Sequence, residues 1–143
     1  MNGFCLYWLI SLCSSATLAA DKIYADVIIS EVVSIYDADT FRVNIKGWPD
    51  IIGFQMSIRA MGVDAPEIRG QCAKEKAAAQ LAKQFTVSFL HSADVIELKQ
   101  IKRGKYFRLL ADVYADGQSL AEALIRAKHG RAYAGGKRLG WCG

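Results

Sequence analysis

Between Thr40 and Lys46 apolar and polar side chains alternate without a break: Phe41, Val43 and Ile45 against Arg42, Asn44 and Lys46. Successive side chains on a strand point to opposite faces, so this segment reads as a β-strand with one dry face and one wet face. Gln55 to Val63 repeats the pattern through Met56, Ile58 and Ala60, and ends where Asp64-Ala-Pro66 forces the chain out of the strand. The Val- and Ile-rich run Asp26 to Ile35, then Asp94 to Ile101 and Tyr106 to Tyr114, complete a set of five strands. Asp37-Ala-Asp39 is the expected turn of a hairpin between the first two. Asp116-Gly117 is a strong tight-turn signal after the last. Gly47-Trp-Pro-Asp-Ile-Ile-Gly53 reads as a loop.

Two helices interrupt the strands. From Gln71 to about His91, Ala73, Ala77, Leu81, Phe85 and Phe89 form the expected apolar stripe. Ser119-Leu-Ala-Glu122 is a capping box, with Leu120, Ala123, Leu124 and Ala127 at helical spacing behind it and Gly130 as the expected residue past the helix end. The Gly-rich tail from Gly130 to Gly143 carries Arg131, Tyr133, Lys137, Arg138 and Trp141; its cations, like the basic turn Ile101 to Lys105, read either as solvated surface or, in Lys102 to Lys105 and Lys137-Arg138, as contacts for a nucleic acid. Five strands, with a helix after the third and another after the fifth, imply an α+β fold: a five-stranded OB-fold β-barrel with two to three packed helices. A chain of 143 residues suits one such domain with a real core.

Residues 1–20 hold no charged side chain, and Phe4 to Leu12 is an apolar run followed by the small residues Ala16 to Ala20. This reads as a signal peptide cleaved after Ala19 or Ala20, leaving residues 21–143 as a single domain exported to a periplasm or secreted. An uncleaved anchor is the alternative, but the apolar stretch is shorter than the ~20 residues that span a bilayer. No stable membrane association is expected after cleavage, and a monomer is expected. The net charge of +4 survives cleavage and suits a polyanionic partner without demanding one. Cys72 and Cys142 remain as an even pair in a chain bound for an oxidising compartment, which points to one disulfide. A zinc site with His91 and His129 is the rival, and no short ligand spacing supports it.

The chemistry concentrates at Arg59-Ala-Met-Gly-Val-Asp64-Ala-Pro-Glu67, with Asp37-Ala-Asp39 before it and Arg108 in a later strand. Carboxylates with no His or Cys nearby suit a hard cation, Ca²⁺ or Mg²⁺. Arginine's planar fork grips a phosphate through two hydrogen bonds, and a glutamate beside the cation can take a proton from water. Acids and arginines at one mouth are therefore equipment for cutting a phosphodiester.

In order and spacing these motifs resemble the staphylococcal nuclease (thermonuclease) family. The likeness runs from about Asp26 to Tyr133 through Asp37-Ala-Asp39-Thr40, Arg59 to Glu67, Lys105-Tyr-Phe-Arg108, Ala111 to Gly117 and Leu120 to Arg126. The resemblance implies an OB-fold barrel and a Ca²⁺-dependent endonuclease that cuts DNA and RNA and leaves 3′-phosphates, with Mg²⁺ the less favoured metal. It implies Asp39 and Asp64 as metal ligands, with Ala65 ligating through its main-chain carbonyl. Arg59 and Arg108 would be the phosphate-gripping arginines, Glu67 the general base, and Tyr106 and Tyr133 would line the nucleotide pocket. Ala38 stands where the family has the glycine of Asp-Gly-Asp, and Phe107 where it has that of Tyr-Gly-Arg. The competing expectation is an OB-fold module that binds single-stranded nucleic acid without cutting it.

Overall fold

The computed structural model describes residues 22–143; the expected signal peptide lies outside the described residues. The elements run β1 (Val27–Asp37), β2 (Thr40–Ile45), α1 (Asp50–Gly53), β3 (Met56–Ala60), β4 (Gly62–Asp64), α2 (Ala73–His91), β5 (Ile96–Arg103), β6 (Arg108–Ala115), β7 (Gln118–Ser119), α3 (Leu120–Arg126) and β8 (Arg131–Tyr133).

Strands β3, β2, β1, β5 and β6 form one continuous antiparallel ribbon, and parallel pairing of β3 with β6 closes it into a barrel. The alternation behaves as the sequence dictates. Phe41, Val43 and Ile45 point inward, as do Met56, Ile58 and Ala60, and all six are buried. Strand β1 serves two partners, β2 along most of its length and β5 at its start, and three register shifts against β2 bend it round the barrel. The α+β barrel with packed helices is the expected one.

Several details differ from expectation. Residues 55–63 form two strands, not one. Gly62 takes a left-handed conformation (φ +81°) that turns the chain off the barrel, and β4 pairs instead with β8 from the tail. The loop before β3 contains the short helix α1. Residues Tyr106 and Phe107, expected at the start of the last barrel strand, both have positive φ and belong to the β5–β6 turn. The buried face of α2 is Glu75, Ala79, Ala82, Thr86 and Leu90, while Ala73, Ala77 and Leu81 are exposed. A strict four-residue repeat advances about 40° per step on a helix of 3.6 residues per turn, so the expected stripe winds away from the core; only its end, Phe85 and Phe89, packs against it.

Both long-helix starts are capped as their sequences suggest. Cys72 Sγ accepts from Glu75 N at 3.4 Å ahead of α2, and Ser119 Oγ accepts from Glu122 N at 3.3 Å ahead of α3. Helix α3 ends two residues earlier than expected. Lys128, not Gly130, is its left-handed residue (φ 61°), with Lys128 N bonded to Ile125 O and His129 N to Leu124 O. Gly130 serves packing instead: a Cβ there would sit 2.5 Å from Val63 Cγ2. The Cys72–Cys142 disulfide forms, tying the tail to the start of α2. His91 lies in the last turn of α2, and the His129 ring sits 5.4 Å from that of Phe85.

Candidate functional site

The β1–β2 hairpin turn is Ala38-Asp39, flanked by the paired residues Asp37 and Thr40. Ala38 is fully buried and is not among the residues with positive φ, so this turn does not require the glycine that the family carries there. Thr86 Oγ1 on α2 donates to Ala38 O at 2.8 Å and fixes the turn from behind. Asp39 is thereby held inward, 1% exposed.

Asp39 and Asp64 converge. Asp39 Oδ1 meets Arg59 Nη1 at 2.9 Å, and Asp64 Oδ1 lies 3.8 Å from Arg59 Nη2, so one guanidinium bridges both carboxylates. Thr40 Oγ1 donates to Asp39 Oδ1 at 3.1 Å, and Ala65 N donates to Asp39 Oδ2 at 3.2 Å. Burial pushes the Asp39 carboxyl above the ordinary aspartate range, against the pull of Arg59 and the Ala65 amide. Placing two aspartates this deep without cations would be costly, and Arg59 is part of what offsets it.

Two tail arginines supply the rest. Arg131 pairs in register with Asp64 across β4 and β8, and its Nε and Nη2 donate to Asp64 Oδ2 at 3.3 and 3.2 Å. Arg138 Nε donates to Asp64 Oδ1 at 2.5 Å, its Nη1 to Glu67 Oε1 at 2.5 Å, and its Nη2 to Ala65 O at 3.4 Å. Burial weighs against the Arg138 charge, but the bonds to Glu67 and Asp64 more than offset it and hold its pKa above the ordinary arginine value.

The segment carrying Glu67 is held by two further carboxylates. Ile68 N donates to Asp37 Oδ1 at 2.9 Å. Glu75, buried at the start of α2, accepts from Gln71 N at 2.9 Å and from Glu67 N at 3.4 Å. Burial raises the Asp37 pKa; the Ile68 amide acts against that and the nearby Glu67 charge adds to it.

The remaining expected residues lie around this centre. Arg108 makes no hydrogen bond or ion pair with the acids, and its Nε is buried without a partner among the described residues. It lies two residues along β6 from Leu110, the registered neighbour of Arg59, so both arginines share the outer face of the barrel wall. Tyr133 and Arg59 line a groove of about 540 Å³ together with Met61, Lys102 and Leu110. Tyr106 stands 92% exposed in the β5–β6 turn, outside that groove. Thus Asp39, Asp64, Ala65, Glu67 and Arg59 come together, whereas Arg108 and Tyr106 stand apart from the ion-paired cluster. Of the two arginines expected at the acids, Arg59 is the one ion-paired with them: Arg108 is registered with Ser57, itself opposite Arg42, and so stands two residues back along the wall from the hairpin tip.

Sequence reasoning missed Arg131, Arg138 and Glu75. One signal was available: Cys72 lies five residues after Glu67 and Cys142 four after Arg138, so the expected disulfide already brings the tail's cations to the acids.

A barrel of this topology, with an acid and arginine cluster where the hairpin tip meets the β4 exit, belongs to the nuclease-type class of OB-fold proteins. A model of the staphylococcal nuclease homologue family matches residues 57–137. The chain belongs to that family, whose members act on nucleic acids.

Proposed function

We propose that the protein is a metal-dependent endonuclease that hydrolyses phosphodiester bonds of DNA and RNA and leaves 3′-phosphates. The observation that supports this most is the bridging of Asp39 and Asp64 by Arg59, next to the Ala65 carbonyl and Glu67. The oxygen-only donor set suits a hard cation, Ca²⁺ ahead of Mg²⁺, and the Arg138 guanidinium already sits on two of its oxygens, Asp64 Oδ1 and Ala65 O, as a stand-in positive charge. Asp39, Asp64 and the Ala65 carbonyl would hold that cation. When bound it would supply Lewis acidity to the scissile phosphate.

The chain's own groups do the rest. Arg59 takes a non-bridging phosphate oxygen at the centre. Arg108, whose Nε has no partner among the described residues, offers a second donor to the same anion. Glu67 accepts the proton of the attacking water, and its backbone is steadied by Glu75. Tyr133 walls the groove beside Arg59, where a nucleotide would lie, and Tyr106 extends outward to meet the chain. The disulfide fits an exported protein working in an oxidising compartment.

A plasmid-nicking assay with and without Ca²⁺ tests this. Wild type should nick only with the metal present, and EDTA should abolish cleavage. Glu67→Ala and Arg108→Ala should each lose about 100-fold or more in kcat while keeping the far-UV spectrum of the folded protein. Full activity in both variants would discard the assignment, and binding without nicking would point to a non-catalytic nucleic-acid module.

A further inference from the structure

Arg138 lies where a cation would. Its three nitrogens address Asp64 Oδ1, Glu67 Oε1 and Ala65 O, two of which are oxygens the metal would need. A calcium ion binds carboxylate and carbonyl oxygens at about 2.3–2.6 Å. At that distance from Asp64 Oδ1 and Ala65 O it would press against a guanidinium of like charge. The two cations cannot share these oxygens.

The placement is built, not incidental. Gly135 and Gly136, both with positive φ, turn the chain back after β8, and Tyr133 OH donates to Gly136 O at 2.7 Å across that turn. Arg131 then fastens the returning segment. It donates to Leu139 O and Gly140 O while its guanidinium lies 3.9 Å from the Trp141 ring. Cys142 bonds to Cys72 immediately afterwards. Arg138 is thus held between a turn on one side and a covalent anchor on the other, which raises its effective concentration at the acids.

We propose that Arg138 is an internal competitor for the metal: the anchored tail lays its guanidinium on the metal's oxygens, and the cation binds only as Arg138 leaves. This rests on the metal-dependent reading above. By reciprocity, whatever Arg138 subtracts from metal affinity, bound metal subtracts from the hold on the tail.

Calorimetric titration of the mature protein with Ca²⁺, without nucleic acid, tests it. Arg138→Gln should bind Ca²⁺ about tenfold or more tightly than wild type, within the range usual for coupled sites. Lys137→Gln, which removes the same charge from an exposed neighbour, should stay within about twofold of wild type because exposed charges are screened. Cys142→Ser should also tighten binding, since it frees the anchor. In wild type, saturating Ca²⁺ should speed amide exchange across residues 137–141. If wild type binds Ca²⁺ and Arg138→Gln binds no tighter, or if the tail's exchange is unchanged at saturation, the competitor is overturned while the metal site stands. An unchanged affinity in Cys142→Ser overturns the part given to the anchor. If neither wild type nor Arg138→Gln binds Ca²⁺, the metal-dependent reading falls and the competitor with it.

Discussion

Single side chains in this protein are placed against their own stability. Asp37 is buried, and its pKa is raised chiefly by that burial. A carboxyl raised above its unfolded value costs nothing below the ordinary aspartate pKa of about 3.8 and costs fully above the raised value, so its contribution to stability falls as pH rises between the two. Asp37→Asn keeps an acceptor for Ile68 N and removes the charge. It should therefore raise Tm more at pH 7 than at pH 4, as thermal unfolding followed by circular dichroism would reveal; an equal effect at both pH values would refute the burial argument. At this scale the sequence was legible where side chains carry their partners nearby. Asp39, Asp64 and Glu67 flank strand ends and could be named. Glu75 could not, because a glutamate in the first turn of a helix looks like any dipole partner until the loop it anchors is seen folded over it.

Elements were legible in proportion to how well their pattern matched their period. β2 and β3 alternate in sequence and alternate in the barrel. α2 was found but its buried face was not, since its alanines fit either face and only packing chooses between them. β8 is three residues long and exists because β4 needs a partner, a dependence on distant chain that no local signal carries. The end of α3 gives a sharp test. Lys128 is exposed and holds a left-handed conformation that glycine adopts without strain. Lys128→Gly should stabilise the protein by about 0.5–1 kcal/mol in urea unfolding, with the m-value unchanged. A loss of stability would mean that the lysine side chain contributes something its exposure does not suggest.

For the molecule as a whole, the disulfide adds a side-chain covalent tie between the tail and the start of α2. It closes a loop with a sequence separation of 70, which corresponds to about 4 kcal/mol of restricted unfolded-state freedom. Reduction should lower unfolding stability by that order, measured by comparing denaturant midpoints with and without reductant, while the barrel remains folded. A change below about 1 kcal/mol would overturn this account of the disulfide as a restriction on the unfolded chain. The chain order of the ion pairs has its own consequence. The ion-paired acids Asp39, Asp64 and Glu67 all lie before residue 68, whereas two of their three arginines come after residue 130. A chain emerging from its N-terminus therefore presents these negative charges early and receives most of their neutralising charge only with residues 131–138. Electrical balance at the hairpin tip and covalent fastening to α2 thus depend on one short stretch of chain.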